Sequence, residues 1–463
     1  MLSIILLSIF GIVCLFLGFL KSKQVLLPAA MLFVATAFVV NALDWNRPVS
    51  YLNNMMAINN VSVAFIGIIL LSALLILPLT QRYINDARAQ LAEYYAILIF
   101  SLVGAIMMVS YENLIMLFIG LEILSVSMYV LTGSDKRNLK SNEAALKYFL
   151  MGAFATGILL FGIALLYGAT GTFTVSGISN YVANNPTGIS PLFHLGLLLV
   201  LIGILFKVSA APFHFWTPDV YDGAPSIFTA FMSTVVKTAG FAALYHLLGV
   251  AFTGVYTFWG MTVAVITVMT LAAGNLTAVY QQSFKRMLAY SSISHAGYLL
   301  IAVVAFNAQS QEAILFYSLA YSLATVTAFG VLILVADQNA IDGRPNEDYG
   351  AFNGLAKSNP FLAFALTVSM CSLAGIPLTS GFFGKFFIFI SAIEQHMVWL
   401  LVIAVLMSAV GIYYYFRVVI AMYMREGSTQ TITIAPLYRL ILIITTILTL
   451  LLGVAPGIIK GMV

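Results

Sequence analysis

Apolar runs of about twenty residues follow one another along nearly the whole chain, separated by short stretches of charge, Gly, Pro and Asn. A helix of that length matches the hydrocarbon thickness of a bilayer. Runs such as LSIILLSIFGIVCLFLGFL at residues 2–20 are apolar on every face, whereas a transmembrane barrel alternates apolar and polar residues over segments of about ten. The pattern predicts membrane-crossing helices. Composition agrees: 62% of the 463 residues are hydrophobic and only 8% are charged, against about 25% charged in a soluble domain. A water-soluble enzyme is excluded, and the spans leave no length for a soluble catalytic domain.

Fourteen spans are predicted, near residues 2–20, 25–43, 61–80, 94–110, 113–133, 144–168, 193–212, 225–250, 256–279, 287–306, 311–336, 360–391, 398–423 and 437–456. The fold class is therefore an all-α membrane protein. The N-terminus lacks a basic start and a small-residue cleavage pattern, so it reads as a retained first span. The 20 basic residues are scattered, and the net charge of +4 is no nucleic-acid footprint. Cys14 and Cys371 sit in separate apolar runs, which argues against a disulfide framework, an iron-sulfur site or a zinc site.

Loop charge sets the orientation, because short basic loops stay cytoplasmic. After odd-numbered spans come Lys21, Lys23, Arg82, Arg88, Lys136, Arg137, Lys140, Lys285, Arg286, Arg344, Lys357 and Arg425. After even-numbered spans come only Arg47 and Lys460. Both termini are expected outside the cytoplasm.

A few charges remain at bilayer depth. Lys147 and Arg417 lie close enough to cytoplasmic helix ends to snorkel. Glu122 in span 5, Lys207 in span 7, Lys237 in span 8 and Lys385 in span 12 do not. His295 is central in span 10, and His246 lies towards the outer end of span 8. Each ionisable group at the bilayer centre costs about 2.5–3.5 kcal/mol on insertion scales, so these side chains should face protein or water. A buried ion pair that only locks helices together would account for Glu122 and one lysine and leave two lysines over. A desolvated amine without a partner becomes able to exchange its proton near neutral pH, so a proton relay fits all four. For His295 alone, a hydrogen-bonded core histidine is an equal alternative.

Proline marks the same places. Pro212 follows Lys207 by five residues in LFKVSAAPFHFWTPDVYDGAPS, and Pro377 precedes Lys385 by eight in SLAGIPLTSGFFGKFF. Each removes a helix donor and frees a carbonyl, and such breaks persist at membrane depth where they line a cavity or are packed in protein. Spans 7 and 12 are expected to be broken helices beside charges, the arrangement that marks ion sites in transporters. EAALKYFL from Glu143 and EAILFYSL from Glu312 match at five of eight positions. Their offset of 169 is close to the 165 between the two prolines. Spans 4–8 and 9–13 therefore look like two copies of a five-helix unit, inverted because five is odd. The expected organisation is 1–93 for spans 1–3, 94–250 and 251–423 for the two repeats, and 424–463 for span 14.

The runs GLEILSVSMYVLTG, SNEAALKYFLMGAFATGILLFGIALLYGATGTF, FKVSAAPFHFWTPDVYDGAPS and KRMLAYSSISHAGYLL closely resemble the subunit N family of antiporter-like subunits in proton-pumping NADH:quinone oxidoreductase, respiratory complex I. The resemblance covers spans 4–13. It implies that Glu122 pairs with Lys207, that Lys237 is the central relay, that Lys385 is the exit-side group and that His295 is an intermediate. Lys147 matches a family lysine with a possible role on the uptake side. Lysine in span 12 suits subunit N, whereas subunit M usually has glutamate there. The resemblance further implies no cofactor in this chain, with NADH, FMN, iron-sulfur clusters and quinone in partner subunits. Implied partners are membrane-arm subunits, including M and the small subunit K, an indirectly coupled peripheral arm, and membrane lipids. A bacterial plasma membrane is the expected location. An Mrp-type sodium/proton antiporter, a membrane-bound hydrogenase or ferredoxin-linked relative, and a purely structural membrane subunit are the rival readings.

Overall fold

Helices form almost where hydropathy places them. The structure, a computed structural model, describes residues 2–81, 91–186, 188–341, 343–427 and 430–459. Arg82, Arg88 and Lys460, three of the charges used for orientation, lie outside the described residues. Among the described residues eleven helices are long and apolar enough to cross a membrane, and Leu2–Leu17, Pro191–Lys207 and Pro360–Ala374 are shorter apolar helices.

Two compact units divide the chain. One comprises the residues up to Trp216 together with Val235–Val263, and the other Thr217–Thr234 together with the chain from Ala264 onward. The first unit contains helices Leu26–Leu43, Asn60–Ile76, Leu91–Ser110, Leu114–Thr132, Leu139–Thr170 and Pro191–Lys207. Side-chain caps set several of their starts. Asn59 accepts from the Ser62 amide while the Ser62 side chain answers the Asn59 amide, and Asn113 accepts from the Ile115 amide. Such caps satisfy donors that the first helical turn leaves free.

The sequence expectation is exceeded at one helix and incomplete at one loop. Helix Leu139–Thr170 begins five residues before the apolar run, because Asn138 accepts from the Lys140 amide and starts the helix in the polar segment. Between the second and third helices, Val49–Tyr51 and Met56–Ile58 pair as a short antiparallel ribbon with Ser50 opposite Ala57. Leu52, Asn53 and Asn54 turn the chain there with positive φ, a conformation that asparagine tolerates better than most residues. Among the described residues this ribbon is the only sheet, beside isolated bridges.

The second unit is built around helices Phe284–Ala305 and Ser310–Gln338, nearly all of whose residues are buried. Helices buried on every face have no amphipathic stripe, which is why these two runs show little periodicity in sequence. Helices Val398–Met424 and Pro436–Val454 keep more of their surface outward.

Both expected helix breaks are present. Helix Pro191–Lys207 stops at Lys207, and the chain passes through Ser209 at φ 64° and a cis Ala211–Pro212 bond before helix Trp216–Gly223 begins. Helix Pro360–Ala374 stops at Gly375 with φ 84°, and Ser380–Glu394 resumes after Pro377 and Thr379. A third irregularity has no proline. The segment Ser226–Ala251 contains π-helical turns at Met232–Val236 and Leu247–Ala251, on either side of Lys237–His246. Both cysteines are free thiols.

Candidate functional site

Lys207, Lys237, Lys385 and His295 expose 4%, 3%, 6% and 3% of their surface. Lys237 and His295 lie in helices long and apolar enough to cross a membrane, Lys207 ends the shorter apolar helix Pro191–Lys207, and Lys385 lies in helix Ser380–Glu394. Sequence reasoning places these groups correctly in the interior, and each unit gathers its own set around them.

In the first unit, Lys207 is the last residue of its half-helix, where the partial negative charge of the helix C-terminus favours a cation. Its ammonium donates to Ser125 Oγ at 2.7 Å and to the Tyr148 hydroxyl at 3.3 Å. Tyr148 is held by stacking on Trp216, ring centroids 4.6 Å apart, and Trp216 Nε1 donates to the Phe206 carbonyl at 3.1 Å. The broken segment thereby folds back to fix the tyrosine that contacts the lysine. Ser125 donates onward to Leu121 O at 2.6 Å.

Glu122 stands three residues before Ser125 on the same helix. Its Oε1 is buried and makes no hydrogen bond, although the carboxylate interacts electrostatically with Lys207. The family resemblance expects Glu122 to pair with Lys207; Glu122 Oε1 makes no hydrogen bond, and the ammonium binds the hydroxyls of Ser125 and Tyr148. A serine is one of many in the sequence, and only its helical spacing from Glu122 in GLEILS signals it.

Lys237 begins the α-helical segment directly after a π turn. Such turns widen a helix locally and occur often at functional sites. One turn further along, a Cβ on Gly240 would come within 2.7 Å of Val208 Cγ1. The absent side chain lets the Lys237 helix pack against the residue that follows Lys207. At the far end of the same helical segment, His246 Nε2 lies 3.4 Å from Glu112 Oε1 and packs edge-on against Tyr111.

Lys147 does not join this set. Its side chain is 41% exposed and pairs with Glu143, one turn back on the same helix, at 2.7 Å, while the neighbouring Tyr148 is the residue that faces Lys207.

In the second unit, Lys385 rises from the second half of its broken helix and bends back to the end of the first half. Its ammonium donates to the Ala374 carbonyl at 2.8 Å and to Ser408 Oγ at 2.9 Å, and it lies 4.6 Å from the Tyr298 ring centroid. A side chain on Gly375 would meet Lys385 Cδ at 2.8 Å, so the residue that ends the half-helix also makes room for the lysine. Lys207 precedes its proline and Lys385 follows its own. Yet one is the last residue of a half-helix and the other reaches the last carbonyl of one.

His295 is held at both ring nitrogens, Nδ1 to the Tyr317 hydroxyl at 2.6 Å and Nε2 to the Tyr415 hydroxyl at 3.0 Å. Tyr415 also bonds Ser291. Tyr298 packs against both His295 and Tyr317, with ring centroids 6.1 and 6.5 Å away. His295 and Lys385 are thus linked through aromatic side chains within one unit. Sequence reasoning missed Tyr298, Tyr317, Tyr415 and Ser408, because nothing separates them from the other tyrosines and serines of the chain before the helices are packed.

Two basic residues read as loop charges have structural partners instead. Lys285 is buried and donates to Glu347 at 2.9 Å and to the Ala224 carbonyl at 2.8 Å. Arg286 pairs with Asp219 at 2.9 Å. Arg417 donates to the carbonyls of Val279 and Gln281, at 2.8 and 3.0 Å, closing the end of helix Tyr256–Val279.

Chemically the arrangement offers buried amines, a carboxylate, an imidazole and hydroxyls, all able to give or accept protons. Residues 112–411 match the family model described as NADH:quinone oxidoreductase/Mrp antiporter, transmembrane. NADH-quinone oxidoreductase subunit N of Trichlorobacter lovleyi is 42% identical over 89% of this chain and 83% of its own. That of Cytophaga hutchinsonii is 40% identical over 98% of both chains. A chain of respiratory complex I from Thermus thermophilus superposes with a TM-score of 0.86 at 35% identity, over 99% of both chains.

Proposed function

Because the chain belongs to the subunit N family of NADH-quinone oxidoreductase, we propose that it carries protons through Glu122, Lys207 and Lys237 in one unit and His295 and Lys385 in the other. It is an antiporter-like membrane subunit of that enzyme. The observation that carries the proton route is the burial of three lysines within apolar helical segments, two of them meeting the end of a broken helix.

The mechanism follows from charge and hydrogen bonding. An ammonium favoured by a nearby carboxylate holds its proton; weakening that attraction releases it. Movement of Glu122 relative to Lys207 would therefore send the Lys207 proton towards Lys237, with Ser125 and Tyr148 holding the amine in place. Lys237 is the central group and Lys385 the exit-side group. His295, bonded to two tyrosines, is a proton carrier between hydroxyls. Lys147, paired on the outer side of its helix, serves the uptake side.

Electron transfer belongs to partner subunits, which hold NADH, FMN, iron-sulfur clusters and quinone. The membrane-arm neighbours include subunits M and K. The chain crosses a bacterial plasma membrane fourteen times, with both termini on the outer side and two inverted five-helix repeats over spans 4–8 and 9–13. The basic residues after odd-numbered spans and the pair of helix breaks support that topology.

The test is proton translocation by the reconstituted complex. Glu122→Gln and Lys237→Ala should leave NADH oxidation by an uncoupled complex measurable while lowering protons moved per electron. Unchanged translocation in both would remove these residues from the route.

A further inference from the structure

At the end of helix Val398–Met424 a cavity of about 280 Å³ is lined by Gln282, Asp348, Tyr349, Gly350, Arg417 and Arg425. All six belong to the second unit. None of them enters the proton route above.

Two of the lining residues carry unspent donors. Tyr349 is only 6% exposed, and its hydroxyl is buried without a hydrogen-bond partner. A buried hydroxyl left unsatisfied costs about 1–3 kcal/mol, so such a group calls for a ligand or other explanation. Burial pushes the Tyr349 phenol above its usual range, against a smaller opposite effect of Arg417, so it stays a protonated donor. Arg425 is exposed, and no described side chain pairs with it. Arg417 is a fixed wall charge, tied to the carbonyls of Val279 and Gln281 and to Gln282 Oε1, with its guanidinium 4.4 Å from the Tyr349 ring centroid.

The wall is not uniformly basic. Asp348 is exposed in the same cavity, so two guanidiniums face one carboxylate. Beside the cavity the end of helix Val398–Met424 presents apolar surface, with Ile420, Tyr423 and Met424 exposed. Ile420 and its neighbours belong to a helix long and apolar enough to cross the membrane. A soluble anion has no use for that surface, whereas a phospholipid places its phosphate and its chains on adjoining polar and apolar walls.

We propose that this cavity binds the head group of an anionic phospholipid bearing a hydroxyl, such as phosphatidylglycerol. Arg425 and the Tyr349 hydroxyl donate to the phosphate, Arg417 supplies fixed positive charge, and Asp348 accepts from the head-group hydroxyl. The acyl chains lie along the exposed face of Val398–Met424.

The test uses the assembled complex, purified in mild detergent and stripped of loosely held lipid. Photoactivatable phosphatidylglycerol is titrated in, and cross-links to residues 413–425 of this chain are mapped by mass spectrometry. Arg425→Gln should raise the half-saturating concentration about tenfold, equivalent to about 1.4 kcal/mol, and Tyr349→Phe several-fold. Arg344→Gln, an equal loss of charge in the connection that carries Asp348 but outside the cavity lining, should change nothing. If Arg425→Gln fails to assemble, Tyr349→Phe removes one oxygen and carries the comparison.

Inorganic phosphate and glycerol phosphate should compete poorly. Competition as effective as unlabelled lipid would overturn the proposal in favour of a free-phosphate site. Equal labelling by phosphatidylethanolamine would overturn the preference for an anionic head group. Labelling unchanged in both variants, or exclusion of lipid by a neighbouring subunit, would overturn it altogether.

Discussion

The Lys207 ammonium lies 2.7 Å from the hydroxyl of Ser125, which stands one helical turn from Glu122. A neutral hydroxyl therefore occupies the position beside the amine, and the carboxylate acts on Lys207 without Oε1 making a hydrogen bond. Such an arrangement holds the amine in place while leaving the electrostatic attraction adjustable, because Coulomb attraction in a low-dielectric setting changes strongly with small displacements.

Removing that hydroxyl should loosen the amine. A hydrogen bond to a charged group is worth about 1.5–3 kcal/mol, so Ser125→Ala should leave Lys207 more mobile and lower proton translocation per NADH oxidised. Ser125→Thr, which keeps the hydroxyl, should restore most of it. Translocation measured in proteoliposomes by a pH-sensitive dye compares the three.

His295 gives a second expectation, in the other unit. Tyr317→Phe and Tyr415→Phe each leave one ring nitrogen of a buried imidazole without its partner, at a cost of about 1–3 kcal/mol. Each should slow translocation more than electron transfer, and the two together should exceed neither effect by a full second increment, since both act through one ring. A double-mutant comparison of translocation rates reads this directly.

Legibility in the sequence was uneven for a physical reason. Charge in an apolar run is costly wherever the helix packs, so Glu122, Lys207, Lys237, Lys385 and His295 stand out from hydropathy. Pro212 and Pro377 announce helix breaks by covalent structure alone. Tyr148, Tyr298, Tyr317, Tyr415, Ser125 and Ser408 acquire their roles only when helices distant in sequence come together, and a tyrosine or serine carries no penalty that would mark it beforehand. The Lys237 segment shows the same limit, because its π turns arise without proline or glycine at Met232–Val236.

Gly375 carries a stability expectation. It combines φ 84° with a contact of 2.8 Å between an added Cβ and Lys385 Cδ. Gly375→Ala should destabilise the helix break by about 1 kcal/mol from the backbone alone and displace the lysine from the Ala374 carbonyl. A lower thermal midpoint of the purified complex together with reduced translocation is the expected result.

Lys285 and Glu347 form a largely buried pair, 2.9 Å apart. Breaking a buried pair by removing one partner costs about 3–5 kcal/mol. Lys285→Met should therefore reduce assembled complex in the membrane, and Lys285→Met with Glu347→Gln should recover part of it. Quantitative immunoblotting of the membrane fraction separates the single from the double variant.

The most direct measurement is the number of protons translocated per NADH oxidised by reconstituted complex carrying Lys237→Met, a substitution that keeps the length of the buried side chain and removes its charge. If the buried lysines carry protons, the ratio falls while the complex remains assembled and still oxidises NADH in the presence of an uncoupler. A ratio equal to that of the unaltered complex would contradict a proton route through this chain.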